Sequence, residues 1–299
     1  MKDALYRLFR NKAAVVSLVF IAILLTIAIF APVIAPYSYD EVDFKAITQP
    51  PSSAHWLGTD SLGRDVFSRL VYGARVSLSV SIIAQFVIIL IGVPVGLISG
   101  FYGGWIDTLI QRVVDILYAF PSLLFIIVVM TFMQSKLSTL DSGIGFAFSK
   151  LNELTGGLLS VLISLGLVFW LTVSRLVRGE TLSIKEKEFV LAAKVVGTKN
   201  PVILLQHILP NIVAPVVVAI TFGIPNAIMI EAGLSFLGLG IKPPMPSWGT
   251  MISEGVKNIR SFPHLILSSG IALSLTLLAF NFLGDGLRDA LDPSQRGKK

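Results

Sequence analysis

Long apolar runs separated by short polar segments dominate this sequence. A helix needs about 20 residues to cross the hydrocarbon of a bilayer. Six runs are suited to this, at residues 13–34, 76–99, 108–132, 157–173, 212–230 and 262–283. The first exceeds the core of about 7–15 residues typical of a cleaved signal peptide, so it predicts a retained helix. The pattern predicts an all-α membrane protein with six transmembrane helices.

The distribution of charge predicts the orientation of these spans. Only 14% of the residues are charged, against about 25% in a typical soluble domain. If the N-terminus is cytoplasmic, the inside segments hold 15 of the 24 Lys and Arg residues. Basic residues concentrate on the cytoplasmic side, which predicts an N-in/C-in topology. This bias also accounts for the net charge of +6, and no basic patch carries the interleaved aromatics that favour nucleic-acid binding.

The spans divide the chain into four parts. Residues 1–36 form a cytoplasmic N-terminus and the first span, and residues 37–75 an extracytoplasmic loop ending in an amphipathic elbow helix at 66–76. Residues 76–288 form a five-helix core that contains a cytoplasmic loop at 174–211, and residues 289–299 form a cytoplasmic tail. Within the second span, Gly92, Gly96 and Gly100 recur every four residues. Small residues at this spacing predict close contact between helices.

Several kinds of chemistry are disfavoured. A P-loop needs Gly-Lys-Ser/Thr, but Lys299 follows the only Gly-Lys pair. The chain has no cysteine and its three histidines are far apart, which predicts no metal site. Ion-coupled carriers keep ionisable residues within their spans. The few candidates here, Asp115, Glu231 and Asp285, give little support to ion coupling. The sequence has neither paired intramembrane carboxylates nor a Ser/His/Asp set, so it does not predict a membrane enzyme. We therefore expect no catalytic residue and no cofactor, and an energy source in another subunit.

The loop at 174–211 has the pattern of an ordered elbow. An apolar stripe predicts a helix at 184–196. Gly197 follows it, and glycine adopts the left-handed conformation that ends many helices at little energetic cost. Asn200 and Pro201 are suited to begin a second helix at 202–209, which we expect to end at Pro210. The alanines in the stripe favour docking into a groove on a partner. The alternative is an amphipathic helix on the membrane surface.

The spacing of this loop resembles a known motif. Ala192-Ala193, then Gly197, then Leu209-Pro210 resemble the EAA loop of ABC importer permeases. Leu191 occupies the usual Glu position and His207 the usual Ile position, while Glu188 lies one turn earlier as a substitute. The resemblance implies that this loop contacts an ATPase.

Two further segments narrow the resemblance. The segment HWLGTDSLGRD at residues 55–65 looks like the signature before the second span of dipeptide/oligopeptide (peptide/nickel) permeases. The segments at 236–249 and 283–293 are similar to those of the C-type subunit of that family. The match covers nearly the whole chain and implies the type I ABC importer permease fold.

The resemblance also implies partners and cargo. A second permease would complete a heterodimer in a prokaryotic cytoplasmic (inner) membrane. One or two ABC ATPase subunits would bind ATP and Mg²⁺, and an extracytoplasmic solute-binding protein would deliver the solute. Dipeptides and oligopeptides are the expected cargo. Nickel chelates, glutathione or another small solute are the alternative.

The candidate site residues fall into three groups. The ATPase-coupling group is Glu188, Leu191, Ala192, Ala193, Gly197, His207, Leu209 and Pro210. The candidate pathway or gate residues are Glu231 and Asn226, although a local hydrogen bond would also explain Glu231. The signature of the extracytoplasmic loop is Gly58, Thr59, Asp60, Gly63, Arg64 and Asp65. Arg64 and Asp65 could meet the binding protein, or Asp60 or Asp65 could simply cap the helix that follows.

Overall fold

The computed structural model describes residues 2–136 and 143–292, and within these ranges it is helical apart from turns and loops. The helices are α1 Lys2–Arg10, α2 Lys12–Ile29, α3 Ala31–Ile34, α4 Val66–Tyr102, α5 Gly104–Tyr118, α6 Ser122–Lys136, α7 Gly143–Leu154, α8 Leu158–Lys185, α9 Glu188–Val195, α10 Asn200–Val202, α11 Leu209–Phe236, α12 Trp248–Val256 and α13 His264–Leu291. A π-helical segment, Ile203–Ile208, joins α10 to α11.

The described residues contain five to six candidate membrane spans, against the six expected. Among the described residues, α2, α4, α8, Asn200–Phe236 and α13 are each long and apolar enough to cross a membrane. The bent pair α5 and α6 passes the same test only when its two helices are taken together, and it completes the expected six if it is one broken span. The expectation of one continuous helix at 108–132 is wrong, because the two helices meet at 91°. Pro121 stands at this break, where it supplies no N–H and disfavours helix in the residue before it.

The elbow helix expected at 66–76 is not a separate element. Val66–Tyr102 is one helix of 37 residues, so the predicted elbow is its first three turns and the second span its remainder. The helix continues past Pro94. The boundary expected at residue 75 therefore lies inside α4.

Close packing of α4 on α8 forms the centre of the molecule, and it confirms the role expected of the glycine repeat. A Cβ on Gly92 would lie 2.9 Å from the Trp170 carbonyl oxygen, and one on Gly100 would lie 2.8 Å from that of Arg178. Any larger residue would force the two backbones apart. Buried apolar residues of α4, α8 and α11 complete this core.

The direction of the spans groups the loops at two ends. Because successive spans alternate in direction, the N-terminus, the α8–α11 segment and the end of α13 share one end, which the charge pattern predicts to be cytoplasmic. Contacts there join distant parts of the chain: Lys185 Nζ donates to the Gly100 carbonyl at 3.0 Å, and Arg7 Nη1 to that of Asp292 at 3.4 Å. Of the expected cytoplasmic tail 289–299, residues 293–299 lie outside the described residues.

The elbow between α8 and α11 differs from the expected pair of helices. The first helix breaks at Glu186 and Lys187, so that α8 ends at Lys185 and α9 begins at Glu188. The second helix does not end at Pro210 but continues into α11. In the intervening π-helical segment the Leu209 N–H donates to the Leu204 carbonyl five residues back. The wider turn accommodates Pro210, which cannot donate to residue 206.

Candidate functional site

The end of α9 is closed by a defined turn around Gly197. Gly197 has φ +83°, its N–H donates to the Lys194 carbonyl at 3.0 Å, and the Thr198 N–H donates to the Ala193 carbonyl at 3.0 Å. This pair of bonds is a Schellman motif, in which a left-handed residue satisfies the last carbonyls of a helix. The helix stop expected at Gly197 is confirmed. The turn fixes the direction in which the chain leaves α9.

One side of α9 and its turn is apolar and exposed. Phe189 is 45% exposed, Leu191 44%, Val195 87% and Val196 84%, and Ala192 lies among them. We call these five residues the α9 apolar surface. Such exposed patches mark interaction sites more often than folding requirements. None of these five residues belongs to a hydrophobic core cluster of the described residues, so their apolar character is not needed to build the core.

The opposite side of α9 is anchored to the core. Val190, Ile203 and Ile208 are fully buried in one cluster, and Ala193 packs at its edge. Because the π-helical segment continues into α11, the anchor of α9 and the start of a membrane span form one connected element.

The remaining residues of the coupling group are distributed along this element. Glu188 is exposed in the first turn of α9, His207 is half-buried in the π-helical segment, and Leu209 and Pro210 begin α11. The structure therefore brings the eight residues onto one connected elbow. It does not bring them into a single pocket.

At the other end of the molecule, a buried ionic cluster ties the signature loop to α12. Asp60 accepts from Arg64 Nε at 2.7 Å and also from Arg69, while Arg69 Nη1 donates to Glu254 Oε2 at 2.8 Å. Burial by itself raises the pKa of Asp60. The charges of Arg69 and Arg64, with the N–H groups of Leu62 and Arg64, outweigh burial and hold this pKa below its ordinary value. Asp60, Arg64 and Arg69 are nearly inaccessible, and Glu254 closes the cluster at the surface.

The other signature residues shape the loop. Asp65 Oδ2 accepts from the Ser68 N–H at 2.7 Å, which confirms that Asp65 caps the following helix. Gly58 and Gly63 have φ of +78° and +76°, and a Cβ on either would collide with a backbone carbonyl of the preceding loop. Thr59 Oγ1 accepts from the Gln49 N–H at 2.8 Å. These residues make the loop a folded unit.

The two candidate pathway residues lie in different environments. Glu231 is fully buried, and its oxygens accept from Ser235 at 2.7 Å, Ser247 at 2.8 Å and Ser77 at 3.4 Å. These bonds link α11 to α4 and to the start of α12. Asn226, one and a half turns earlier on α11, is exposed and lines a cavity.

Several important residues were not predicted from the sequence. Glu254 and Gln85 were not singled out, and Arg69 was assigned no role beyond its place in the family signature. Arg69 and Gln85 are buried, and Glu254 lines a cavity beside Arg69. One signal was available: an arginine in an otherwise apolar helix needs a buried acidic partner. The sequence does not show which acidic residue is that partner, because Arg69 and Glu254 are separated by 185 residues.

The fold and its two ends define a class of protein. The described residues form a multi-pass helical membrane protein, with an exposed apolar helix surface at one end and a folded loop at the other. Residues 92–297 match the family described as "Binding-protein-dependent transport system inner membrane component", and residues 1–51 match "N-terminal TM domain of oligopeptide transport permease C". The chain belongs to this family of inner membrane permeases.

Curated relatives match the chain over nearly its whole length. It is 42% identical to the dipeptide transport system permease protein DppC of Alkalihalophilus pseudofirmus, over 99% of this chain and 90% of that protein. It is 39% identical to the oligopeptide transport system permease protein OppC of Bacillus subtilis, with the same coverage. It is 40% identical to the glutathione transport system permease protein GsiD of Pectobacterium atrosepticum, over 96% of this chain and 89% of that protein.

Solved structures support the fold. A chain of the MetNI methionine ABC transporter in an inward-facing conformation aligns with a TM-score of 0.56 and 17% identity, over 75% of this chain and 96% of that chain. The expected type I ABC importer permease fold is confirmed. The chain is a multi-pass inner-membrane protein that works as a permease subunit of an ABC transporter.

Proposed function

We propose that this chain is the C-type permease of an ATP-driven importer for dipeptides or oligopeptides, and that it forms the translocation pathway with a second, different permease. The cargo is inferred from the relatives: the names of the two quoted first specify dipeptide and oligopeptide transport. A pathway for many peptides must tolerate varied side chains, and this is compatible with the neutral lining around Asn226.

The proposal of an ATPase contact depends on the α9 apolar surface, the single observation that carries the coupling mechanism. An apolar helix face that is exposed outside the spans and held by a closed turn is suited to a groove on a partner protein. A helix that lies on a membrane places its charged residues on the side facing water, along its whole length. Here Lys187, Lys194 and Lys199 flank the α9 apolar surface, as polar residues do at the rim of a protein interface. This arrangement favours docking on a protein.

The coupling group would act through its connection to α11. Motion of the ATPases on binding and hydrolysing ATP with Mg²⁺ would tilt α9. Val190 and the buried isoleucines of the π-helical segment would transmit that tilt, because a close-packed core moves as a unit. Asn226 and Glu231 are on the same continuous helix, so the motion would reach the middle of the membrane.

The folded signature loop would contact the extracytoplasmic solute-binding protein. Its buried ionic cluster fixes its shape, while Phe44 is 75% and Trp56 60% exposed on its surface. Exposed aromatic residues on a rigid platform are typical of protein interfaces. Arg64 would stabilise the loop without touching the binding protein, since it is only 5% exposed.

Reconstitution of the complete transporter tests the cargo. Proteoliposomes containing both permeases and the ATPases, supplied with the binding protein, should accumulate radiolabelled trialanine only when ATP is present. Glutathione is the second candidate, because GsiD is a relative of similar identity. Import of glutathione or a nickel chelate with no import of trialanine would contradict the proposed peptide cargo.

A further inference from the structure

A cavity of about 150 Å³ lies between α4, α8 and α11. A single water needs only ~10–15 Å³ of such space, so the cavity can hold a group much larger than water. Its polar lining comes from one residue of each helix, and its apolar lining mostly from α8; the principal lining residues are Gln85, Thr172, Asn226, Ile88, Phe169 and Leu176.

The side chain of Gln85 is the most unusual feature of this cavity. It is only 5% exposed, and no hydrogen bond joins its amide to any other residue that the structure describes. The enclosed atoms that lack a partner among the described residues belong to other side chains, so the Gln85 amide keeps some accessible surface and can reach a molecule in the cavity. Gly223 leaves the space that this side chain occupies, since a Cβ there would collide with the Gln85 amide. An unpaired donor and acceptor therefore face the cavity.

The cavity lies about halfway along the long helices α4 and α8. Gln85 is near the middle of α4 and Thr172 near the middle of α8. Asn226 is exposed on α11 and opens the cavity to the surface of the chain. An exposed amide at this depth would be unfavourable against lipid, which favours an aqueous pathway or a partner subunit at this face. In secondary transporters, substrate sites also lie near the midplane.

The lining contains amide and hydroxyl groups but no ionisable side chain. A carboxamide has donors and an acceptor, and a peptide bond likewise has one donor and one acceptor. Paired amides recognise a peptide bond regardless of the side chains beside it. The Thr172 hydroxyl is held by Tyr118 at 2.8 Å, which fixes one wall of the cavity.

From this chemistry we propose that the cavity is a transit site for the backbone amide of the cargo, with Gln85 and Asn226 as its hydrogen-bonding residues. The inference depends on the proposed peptide import. It adds the position and the chemical group by which peptide is held within the membrane.

Cysteine labelling can test this site in the complete transporter, because the chain contains no cysteine of its own. Gln85→Cys and Asn226→Cys are compared with Ile83→Cys, which is on α4, 44% exposed and outside the cavity lining. The partner subunits are used as variants from which any reactive cysteine has been removed. A small water-soluble methanethiosulfonate should label residues 85 and 226 but not residue 83. Trialanine, supplied with binding protein and ATP, should slow labelling at residues 85 and 226. Labelling there that trialanine does not change would overturn the inference.

Transport by the Gln85→Leu variant tests the transit site independently of the proposed peptide import. Leucine keeps the bulk but removes the amide, so trialanine import should fall about two- to tenfold, the loss expected for one neutral hydrogen bond. ATP hydrolysis stimulated by the binding protein should persist. If wild type imports trialanine and Gln85→Leu does so equally well, the transit site is wrong and peptide import stands. If wild type imports no peptide, both proposals are wrong.

Discussion

The Thr198 N–H donates to the carbonyl oxygen of Ala193 at 3.0 Å, across a glycine with a positive φ. This bond holds the turn after α9 in one conformation. The α9 apolar surface is thereby displayed at a fixed angle to α11, the helix that carries Asn226. A surface held so rigidly can pass a displacement of a partner to the pathway.

The turn predicts the effect of a bulky residue at position 197. Gly197→Val should impose about 1–2 kcal/mol of strain, because a left-handed conformation crowds the Cβ. We expect peptide import to be lost while the protein still inserts in the membrane. Import by proteoliposomes, with membrane content measured by immunoblot, checks this. Gly179→Val is the matched control, since Gly179 is helical and a Cβ there has no neighbour within 4 Å. Normal import by Gly197→Val would show that the turn is not needed for coupling.

The ionic cluster predicts a difference between two conservative substitutions. Asp60→Asn leaves Arg64 and Arg69 without their shared buried partner, which should lower stability by about 3–5 kcal/mol. Glu254→Gln removes a one-third exposed carboxylate and should cost no more than about 1 kcal/mol. Thermal unfolding of the purified transporter measures both. An equal loss of stability in Asp60→Asn and Glu254→Gln would contradict the central position of Asp60 in the ionic cluster.

The same carboxylate predicts a dependence on pH. The pKa of Asp60 is lowered below its ordinary value of 3.8, so its ionised form stabilises the fold fully above that value. This stabilisation is lost as the pH falls below 3.8 through the pKa of the folded state. The Tm advantage of wild type over Asp60→Asn should therefore be constant near neutral pH and shrink in acid. An advantage that grows on acidification would contradict the sign of this shift.

The hydrogen bonds that Ser77, Ser235 and Ser247 donate to Glu231 predict a structural role for this carboxylate. Glu231→Gln keeps an acceptor for the surrounding hydroxyls and should nearly preserve the Tm. Glu231→Leu leaves those hydroxyls without an acceptor, at about 1–3 kcal/mol for each group left unpaired. Thermal unfolding distinguishes the two variants. If both unfold like wild type but import is lost, Glu231 acts in the pathway rather than in the packing of α11.

Local features of this molecule could be predicted and distant pairings could not. The Asp65 cap and the Gly197 turn depend on residues within a few positions, so their sequence patterns were sufficient. The spans followed from hydropathy, although it gave no sign of the 91° bend between α5 and α6. The contact of Arg69 with Glu254 and the fit of Gln85 against Gly223 arise only when separate helices pack. The π-helical segment was missed because Pro210 usually ends a helix and here is accommodated by a wider turn.

Cross-linking at the α9 apolar surface tests the central claim most directly. Val195→Cys, modified with a benzophenone maleimide, can be photolysed in the assembled transporter, with Phe44→Cys at the opposite end as the control. Both positions are at least 75% exposed in the isolated chain. The account predicts a covalent adduct with the ATPase from residue 195 and none from residue 44. An assembled, active transporter in which residue 195 cross-links only to lipid would contradict it.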